Sequence, residues 1–312
     1  MSKFNEISFS KNILNRDANI RISPSFLQDA LKNPVTKIAL FCDDFVFFPV
    51  QNDKITNPTT YKYEDIKGFV NDNAFWIAAG FNDANAPILL LNIDAKYKED
   101  CEQKLNGSFQ ILRSALWQIK ITESEIYGLG NSLYSWHKNH QFCAKCGSKT
   151  DVADFGFKRI CPNCNTEHFP RVDPVVIMLV TKDDKCLFGR SKFFPPGLYS
   201  ILAGFMEPCE TIEQACKREV FEETSIEIEK VEYIANQPWP FASQLMIGLH
   251  AFAKNSEIKI NEDELEDALW LSRDEVRQLL SKDGFEINGT KVFGPRPSAI
   301  AHALVSDWLD NI

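Results

Sequence analysis

The segment from Gly204 to Ile226, GFMEPCETIEQACKREVFEETSI, constrains the fold of this chain more than any other stretch. Thr211 stands three positions before a glutamine, a capping-box spacing that predicts the start of a helix. On that helix, Glu219 and Glu223 lie about 40° apart at about 100° per residue, with Glu222 on the same face. Carboxylates this close repel one another unless a cation lies between them, and hard oxygen ligands suit Mg²⁺ or Mn²⁺. The segment therefore predicts a metal-activated site for phosphate chemistry. The alternative is a solvated acidic helix.

The composition excludes several classes of protein. With 312 residues, of which 44% are hydrophobic, the chain is long enough for two or three globular domains. Its net charge of −9 argues against nucleic-acid binding through the phosphate backbone as the main role. No apolar run reaches the roughly 18 residues of a membrane helix, and the N-terminus lacks the apolar core of a secretion signal. We expect a cytoplasmic protein without a membrane partner.

Four of the nine cysteines form two C-x2-C pairs separated by fourteen residues. Each pair can direct two thiolates at one tetrahedral metal, and the spacing is nearly that of a zinc ribbon. Gly147 and Asn165 follow the two pairs, where left-handed turns are expected. Four sulfur ligands leave no open coordination position, so the pattern predicts structural rather than catalytic Zn²⁺. The alternative, free or disulfide-bonded cysteines, is rare for such a pattern in a reducing compartment. The predicted zinc ligands are Cys143, Cys146, Cys161 and Cys164.

The chain divides into three predicted domains. Residues 1–138 form an N-terminal α/β domain, and residues 139–170 form the zinc ribbon. Residues 171–312 form the catalytic domain, in which helices flank a mixed sheet.

The N-terminal domain offers elements of structure but no catalytic constellation. The acidic pair at residues 43–44 separates two apolar runs, which indicates a hairpin. Residues 109–119 and 124–136 have the three- and four-residue periodicity of helices. Arg16 and Arg21 could meet a phosphate, although basic residues more commonly belong to the solvated surface.

Residues 236–244, NQPWPFASQ, follow the acidic helix. Two prolines around a tryptophan cannot continue a central strand, so we expect a stiff surface turn that presents aromatic faces. Aromatic faces beside a metal-phosphate site would suit a nucleotide base. The alternative is a packing loop with no ligand.

The glutamate-rich segment resembles the Nudix box, G-x5-E-x7-R-E-U-x-E-E-x-G-U, in which U is aliphatic. The matching residues are Gly204, Glu210, Arg218, Glu219, Val220, Glu222, Glu223 and Ile226. Ser225 departs from the pattern, since the family has glycine there. With the zinc ribbon before the box and QPWPF after it, the chain resembles the NADH pyrophosphatase (NudC-type) family. At the edges of the loop, Asn236, Ala242 and Gln244 stand where the family has serine, proline and serine.

The resemblance implies roles for individual residues. The implied catalytic residues are Arg218, Glu219, Glu222 and Glu223, with Glu223 or Glu222 as the general base and Glu210 as the partner of Arg218. The implied ligands of Mg²⁺ or Mn²⁺ are Glu219, Glu223, Glu264 and the backbone carbonyl of Ala203. The implied substrate-binding residues are Phe169, Phe205, Gln237, Pro238, Trp239, Pro240, Phe241, Ala242, Ser243, Gln244 and Ala301.

The resemblance also implies a fold and a function. The expected fold is a Nudix α/β/α sandwich with a mixed sheet, preceded by the zinc ribbon and the N-terminal α/β domain, in a homodimer. The expected reaction is metal-dependent hydrolysis of the pyrophosphate bond of NADH and NAD⁺ to nicotinamide mononucleotide and AMP. One alternative is removal of the NAD cap from RNA 5′ ends, with Lys145, Lys149, Lys158 and Arg159 of the ribbon touching RNA. Another is a non-catalytic dinucleotide sensor.

Overall fold

The computed structural model describes Phe4 and residues 7–11, 13–287 and 289–311. The prediction that the N-terminus lacks a secretion signal rests on the first residues of the chain. Some of these residues lie outside the described ones. The described chain forms two compact units. The N-terminal unit contains residues 11–172 and 239–243, and the C-terminal unit contains residues 173–238, 244–312 and the described residues among 1–10.

The N-terminal unit is built on a six-stranded sheet. Its strands are β1 (Lys37–Cys42), β2 (Phe45–Gln51), β3 (Lys54–Ile55), β4 (Phe75–Phe81), β5 (Pro87–Asn92) and β6 (Gly107–Ile111). The order is β3-β2-β1-β5-β4, and β6 pairs with β2. Cys42 pairs with Phe45 across the turn at residues 43–44, which confirms the predicted hairpin. Strands β1 and β5 are almost wholly buried because both of their faces carry apolar side chains, whereas β3 is exposed or partly buried.

Short helices and one long helix accompany this sheet. They are α1 (Asn19–Ile22), α2 (Phe26–Lys32), α3 (Tyr63–Ile66), α4 (Lys98–Lys104), α5 (Leu112–Ala115) and α6 (Ser124–Asn139). The prediction of a helix at 124–136 is confirmed, and the prediction of one across 109–119 is wrong for its first residues. Phe109 packs edge-on against Phe47 with ring centroids 5.1 Å apart, so burial in the sheet overrides the helical periodicity.

The four-cysteine region adds a three-stranded sheet to the N-terminal unit. Its strands are β7 (Asp151–Ala153), β8 (Lys158–Ile160) and β9 (Glu167–His168). Gly147 and Asn165 have φ of 75° and 55°, which confirms the predicted left-handed turns after the two cysteine pairs. Glycine and asparagine tolerate this conformation better than other residues, so each turn can close tightly around its thiolates.

The C-terminal unit is built on a mixed sheet. Its strands are β10 (Asp173–Lys182), β11 (Lys185–Ser191), β12 (Leu202–Phe205), β13 (Ile228–Trp239), β14 (Gln244–Ala253) and β15 (Leu265–Ser272). The order is β13-β14-β10-β11-β15, and β12 pairs with β10. Strands β10 and β14 run parallel, whereas β11 and β12 run antiparallel to β10, as expected for a mixed sheet. The remaining elements are α7 (Ile212–Thr224), α8 (Arg273–Leu279), β16 (Phe285–Ile287), β17 (Thr290–Val292) and α9 (Ile300–Asp310).

Alternation along β10 produces the three layers of this unit. Val176 and Met178 belong to the cluster that contains Val220 of α7. Ile177 and Leu179, one position further along in each case, belong to the cluster that contains α9. Successive strand residues point to opposite faces, so one helix covers each face of the sheet. This arrangement is the predicted α/β/α sandwich.

The predicted turn at 236–244 begins later than expected. Strand β13 continues through Pro238 to Trp239, and only the residues after Trp239 form the turn. Strand β13 is at the edge of the sheet, so one of its sides has no neighbouring strand. A proline can lie in such a strand because its missing N–H group is not needed on that side. Within the described residues, no helix combines the length and the apolar character needed to cross a bilayer.

Candidate active site

Helix α7 begins and ends where its sequence specifies. The backbone N–H of Gln214 donates to Oγ1 of Thr211 at 3.2 Å, and the backbone N–H of Thr211 donates to Oε1 of Gln214 at 2.9 Å. Both halves of the predicted capping box are therefore present. Ser225 closes the helix with φ 59° and ψ 19°, the conformation that a glycine would adopt there. The serine costs about 1 kcal/mol in that conformation, and the helix keeps the same exit.

Arg218 organises the carboxylates of this helix. Its Nε and Nη2 donate to the two oxygens of Glu210 at 2.7 and 2.9 Å, a bidentate pair. Nη1 donates to Glu219 at 2.8 Å and to Glu222 at 3.0 Å, and Nη2 also reaches the carbonyl of Phe205 at 2.9 Å. The guanidinium holds the pKa of Glu210 at about 2, so this carboxylate stays ionised. Arg218 therefore fixes Glu219 and Glu222 relative to strand β12.

Gly204 leaves open the space that the Glu219 carboxylate occupies. A Cβ atom at residue 204 would lie 1.9 Å from the carboxyl carbon of Glu219 and 2.1 Å from its Oε2. Only glycine allows this approach of a side chain to the backbone of β12. Ala203 precedes Gly204 on that strand, so the structure brings the predicted carbonyl ligand and a predicted carboxylate ligand to neighbouring positions.

Glu223 is the most perturbed carboxylate of the site. Its side chain is buried, with the residue 8% exposed, and its Oε2 has no hydrogen-bond partner among the described residues. Burial raises the pKa of Glu223 to about 8, and repulsion from Glu219, Glu264 and Glu222 adds to the shift. A buried carboxylate oxygen without a partner is costly, and a divalent cation removes that cost. The donor set therefore fits a hard divalent ion.

The predicted carboxylate ligands do not converge in this structure. Glu264 is exposed, and its Oε1 accepts a hydrogen bond from the side chain of Asn261 at 3.4 Å. In the described part of the chain, the acidic residues of the site do not form a set whose ligand atoms all lie within 4.8 Å of one another. Glu219, Glu223 and Glu264 are nevertheless close enough to raise the pKa of Glu223 through repulsion.

The four cysteines of the predicted zinc ribbon form a set whose sulfur atoms all lie within 4.8 Å of one another. The Sγ atoms of Cys143 and Cys164 lie 3.6 Å apart, and those of Cys146 and Cys161 lie 3.5 Å apart. Zinc bonds of about 2.3 Å in a tetrahedron place sulfur atoms about 3.8 Å apart, so the geometry fits Zn²⁺. Hydrogen bonds from Ser148 lower the pKa of Cys146 to about 5, which favours the thiolate that binds metal. The cluster supports the predicted structural zinc.

Arg159 of the ribbon is buried rather than available to a ligand. It is 5% exposed, and its Nε and Nη2 donate to the hydroxyl and carbonyl of Thr150, each at 2.7 Å. Its Nη1 donates to Nδ1 of His137 at 2.9 Å, and Nε2 of His137 donates to the carbonyl of Gly156 at 2.8 Å. Burial lowers the pKa of His137 to about 4, so the imidazole is neutral and can accept this bond. The expectation that Arg159 touches RNA is wrong, because this network occupies it.

Gln237, one of the predicted substrate-binding residues, is 0% exposed. Its Nε2 donates to the carbonyls of Ser8 and Ser298, each at 2.8 Å. Its Oε1 accepts from the backbone N–H of Ile300 at 2.7 Å. The amide therefore ties three segments together at the start of α9, next to Ala301. Its side chain positions this region, since both amide hydrogens are already engaged.

We expect Gln237→Glu to lower the free energy of unfolding by about 3 kcal/mol. A carboxylate of the same shape cannot donate to the two carbonyls that Gln237 bridges, and it would place a buried charge against them. Chemical denaturation monitored by circular dichroism measures the change. Gln278→Glu, at an exposed position of α8, is the matched control and should change stability by less than about 0.5 kcal/mol. Equal stability of the two variants would contradict the bridging role.

Two residues of α6 donate hydrogen bonds to the turn after Trp239, a contact that the sequence analysis did not predict. Asn131 donates its Nδ2 to the carbonyl of Pro240 at 2.6 Å, and the hydroxyl of Ser132 donates to the carbonyl of Ala242 at 2.8 Å. Both contacts lie within the N-terminal unit, which includes residues 239–243. More than a hundred positions separate the partners, so no local pattern signals the contact.

The other predicted substrate-binding residues are divided between the two units. Phe205, in the C-terminal unit, is 54% exposed, and Phe169, in the N-terminal unit, is 63% exposed. Both rings are therefore open to a stacking partner. Trp239 and Phe241 of the N-terminal unit pack edge to face with ring centroids 5.1 Å apart. Of the remaining predicted residues, Ser243 is buried in the N-terminal unit, and the C-terminal unit holds exposed Pro238, partly buried Gln244 and buried Ala301.

We expect Gly204→Ala to reduce turnover by about 10²-fold or more while changing the melting temperature little. The new methyl group would occupy the position of the Glu219 carboxylate, which is the flexible end of a side chain and can move away. Steady-state kinetics and thermal unfolding measure the two effects. Gly68→Ala is the control, because a Cβ there meets nothing within 4 Å. Wild-type turnover in Gly204→Ala would show that the position of the Glu219 carboxylate against residue 204 does not matter for catalysis.

Comparison with known proteins agrees with this geometry. Residues 170–289 match the NUDIX domain, and residues 138–169 match the NADH pyrophosphatase zinc ribbon domain. Human NAD-capped RNA hydrolase NUDT12 is 34% identical over 340 residues, which covers 96% of this chain and 73% of that protein. Human mitochondrial NAD(P)H pyrophosphatase NUDT13 is 41% identical over 222 residues, covering 69% of this chain and 63% of that protein.

Among solved structures, a NUDIX hydrolase from Nitrosomonas europaea is 21% identical with a TM-score of 0.43, covering 55% of this chain and 90% of that one. One family is identified by the two domain matches and by the relative that covers 96% of this chain. The carboxylates ordered by Arg218 and the four-cysteine cluster agree with it. The chain belongs to the NADH pyrophosphatase-type Nudix hydrolases, which carry a zinc ribbon before the catalytic domain.

Proposed function

We propose that this Nudix hydrolase cleaves the pyrophosphate bond of NADH and NAD⁺, giving nicotinamide mononucleotide and AMP. The observation that carries the proposal is the buried, unpartnered Oε2 of Glu223 among the acidic residues that Arg218 orders. A diphosphate is the substrate class that such a site suits, because bound divalent cations neutralise its charge. The printed name of human NUDT13, an NAD(P)H pyrophosphatase, supports a dinucleotide substrate.

The proposed catalytic cofactor is Mg²⁺ or Mn²⁺, held by Glu219, Glu223, Glu264 and the carbonyl of Ala203. When bound, such an ion neutralises the diphosphate and lowers the pKa of an attacking water. Arg218 holds the Glu219 carboxylate against Gly204 through the 2.8 Å hydrogen bond that its Nη1 donates. The proposed zinc is structural and belongs to the four cysteines.

Oε2 of Glu223 is the proposed acceptor of the proton from water. It is buried and has no hydrogen-bond partner among the described residues, and a carboxylate held in this way can accept a proton from water. Glu222 is the alternative acceptor. Its carboxylate already accepts a hydrogen bond from Nη1 of Arg218 at 3.0 Å.

The proposed base-binding surfaces are the exposed rings of Phe205 and Phe169 and the loop that begins at Trp239. Aromatic rings stack on nucleotide bases through their faces, and the exposure of Phe205 and Phe169 leaves those faces open. Gln237 enters the proposal as a positioning residue for the segment that holds Ala301, rather than as a direct contact.

Chromatography of reaction products tests the proposal directly. NADH, NAD⁺, ADP-ribose and NAD-capped RNA are incubated in parallel with the protein and Mn²⁺. We expect AMP and reduced nicotinamide mononucleotide from NADH, at matching yields. Tight NADH binding without AMP release would instead identify the non-catalytic sensor.

A second candidate function is removal of the NAD cap from RNA. It is favoured by the 34% identity to human NUDT12, whose printed name is NAD-capped RNA hydrolase, along 96% of this chain. With Arg159 buried, the exposed Lys145 and Lys149 are the ribbon residues left for RNA contacts. Lys158 already pairs with Asp154 and Glu167. Capped RNA that stays intact at physiological salt, while NADH is cleaved, would exclude this function.

Three further parts of the proposal are the domain division, the assembly and the compartment. The division into residues 1–138, 139–170 and 171–312 is supported by the positions of the two domain matches. The proposed assembly is a homodimer, which light scattering after size-exclusion chromatography tests. The proposed compartment is the cytoplasm, supported by the zinc-type cysteine cluster, which requires reduced thiols. Imaging of a tagged chain tests that location.

A further inference from the structure

A cleft of about 350 Å³ opens in the N-terminal unit, and its lining includes none of the predicted catalytic, metal-binding or substrate-binding residues of the Nudix site. It forms where the end of α1, the start of β4 and the segment after β7 meet. Its lining consists of Arg21, Ile22, Ser23, Pro24, Phe75, Trp76, Val152, Ala153, Asp154 and Phe155. This volume is at the lower end of the range of small-molecule sites, which is about 300–1,000 Å³.

Arg21 is the basic residue among those that line the cleft. The guanidinium carbon lies 3.5 Å from the ring centroid of Phe157, so one of its faces is covered by an aromatic ring. Its Nε is buried and has no hydrogen-bond partner, and no ion pair is formed by Arg21 with any described residue. A buried N–H without an acceptor costs free energy, which an anion held at the same guanidinium would recover.

Charged groups of both signs surround Arg21, and the carboxylates among them have other partners. Burial lowers the pKa of Arg21 most and the nearby Arg16 lowers it further, whereas Asp154 and Asp17 act in the opposite direction. Asp154 is paired with Lys158 at 3.2 Å. The carboxylate of Asp17 accepts hydrogen bonds from the backbone and side chain of the residue two positions further on. The nearby acidic groups are therefore engaged, and the end of the cleft at Arg21 attracts an anion.

Aromatic side chains line the rest of the cleft. Trp76, which is half-buried, lines the cleft. Phe155 is held in place by Phe26, whose ring packs edge-on with centroids 6.0 Å apart. The backbone at Asp154, Phe155 and Gly156 has φ of 49°, 45° and 91°. Consecutive non-glycine residues in this region cost about 1–2 kcal/mol each, and such strain is concentrated at functional sites.

We propose that this cleft binds a nucleoside 5′-monophosphate. The phosphate lies at Arg21, and the base lies against Trp76 and Phe155. One guanidinium with Arg16 nearby suits a single phosphate group, and the volume suits one nucleotide rather than a dinucleotide. The indole N–H of Trp76 supplies a donor to the base or the ribose. The ligand is either a free mononucleotide or the 5′-phosphorylated end of an RNA strand, since both present the same group.

Photocrosslinking of the full, zinc-loaded chain with 8-azido-AMP locates the site, and calorimetry with AMP measures it. We expect labelled peptides that contain residues 21–24, 75–76 or 152–155. Arg21→Gln should remove this label and weaken AMP binding there by at least about tenfold, equivalent to about 1.4 kcal/mol. Arg113→Gln, at an exposed arginine of α5 in the same unit, is the matched control and should keep both. Label confined to residues 173–312, or equal binding by the two variants, overturns the proposal.

Two further measurements keep the result unambiguous. Trp76→Phe keeps the ring and removes the N–H, so it should weaken AMP binding even if Arg21→Gln folds poorly by thermal unfolding. Arg21→Gln should cleave NADH at the wild-type rate, which separates this proposal from the proposed catalytic function.

Competition with short RNAs identifies the source of the ligand. Displacement of AMP by a 5′-phosphorylated oligoribonucleotide, but not by its 5′-hydroxyl form, supports binding of the RNA end. Displacement by neither RNA supports the free mononucleotide. Equal displacement by both contradicts recognition of a terminal phosphate and overturns the proposal.

Discussion

Glu223→Gln is expected to lower the turnover of NADH by about 10²–10⁴-fold, the range for loss of a general base. The substitution keeps the shape of the side chain and removes both a proton acceptor and a proposed metal ligand. Oε2 of Glu223 is buried and has no hydrogen-bond partner among the described residues. Initial rates of AMP release at saturating Mn²⁺ measure the effect.

The folding of Glu223→Gln separates lost catalysis from lost structure. Without added Mg²⁺ or Mn²⁺, the folded protein holds the Glu223 proton more tightly than the unfolded chain, because the pKa rises from 4.5 to about 8. The protonated Glu223 therefore contributes to the free energy of unfolding of the wild type below pH 4.5. This contribution is lost as the pH rises toward about 8. The glutamine variant should lack that loss and melt no lower than wild type at pH 8.

The control for this substitution is Glu229→Gln, at an exposed position of β13. It removes one negative charge from the same unit without touching the acidic residues of α7. We expect wild-type turnover from it. Turnover of Glu223→Gln equal to that of Glu229→Gln would exclude Glu223 from the chemistry.

Cys161→Ser is expected to abolish stoichiometric zinc binding and to destabilise the ribbon by several kcal/mol. A structural zinc contributes about 10–16 kcal/mol of apparent binding free energy, and most of it depends on all four ligands. Cys161 is buried, with its Sγ 3.5 Å from that of Cys146, so a serine oxygen cannot replace it without moving the other ligands. Elemental analysis measures zinc per chain, and thermal unfolding measures the loss of stability.

Cys209→Ser is the matched control, because Cys209 is an exposed free thiol outside the four-cysteine cluster. It should retain one zinc per chain and the wild-type melting temperature. If Cys161→Ser also retained one zinc and unfolded like wild type, the structural zinc site would have to be abandoned.

The elements that the sequence predicts well are those specified by neighbouring residues. The capping box at Thr211 set the start of α7, and the left-handed exit at Ser225 appeared where the family pattern has glycine. The same holds for the turns at Gly147 and Asn165, because local backbone conformation decides them. The positions of Glu219 and Glu223 on one helix follow from spacing alone.

The features that the sequence could not predict depend on distant partners. The first residues of the segment 109–119 form a strand because they pair with β2, although their spacing is helical. Gln237 bridges Ser8 and Ser298, and Asn131 holds the carbonyl of Pro240. Hydrogen bonds across such separations leave no periodic trace, so only the folded structure reveals them.

Anomalous diffraction from crystals soaked in Mn²⁺ tests most directly whether the carboxylates of α7 bind the catalytic ions. We expect a manganese peak within bonding distance of Glu219 and Glu223, with Arg218 still paired to Glu210. A map without manganese at these side chains, with both carboxylates turned to solvent, would contradict the proposed metal-dependent hydrolysis.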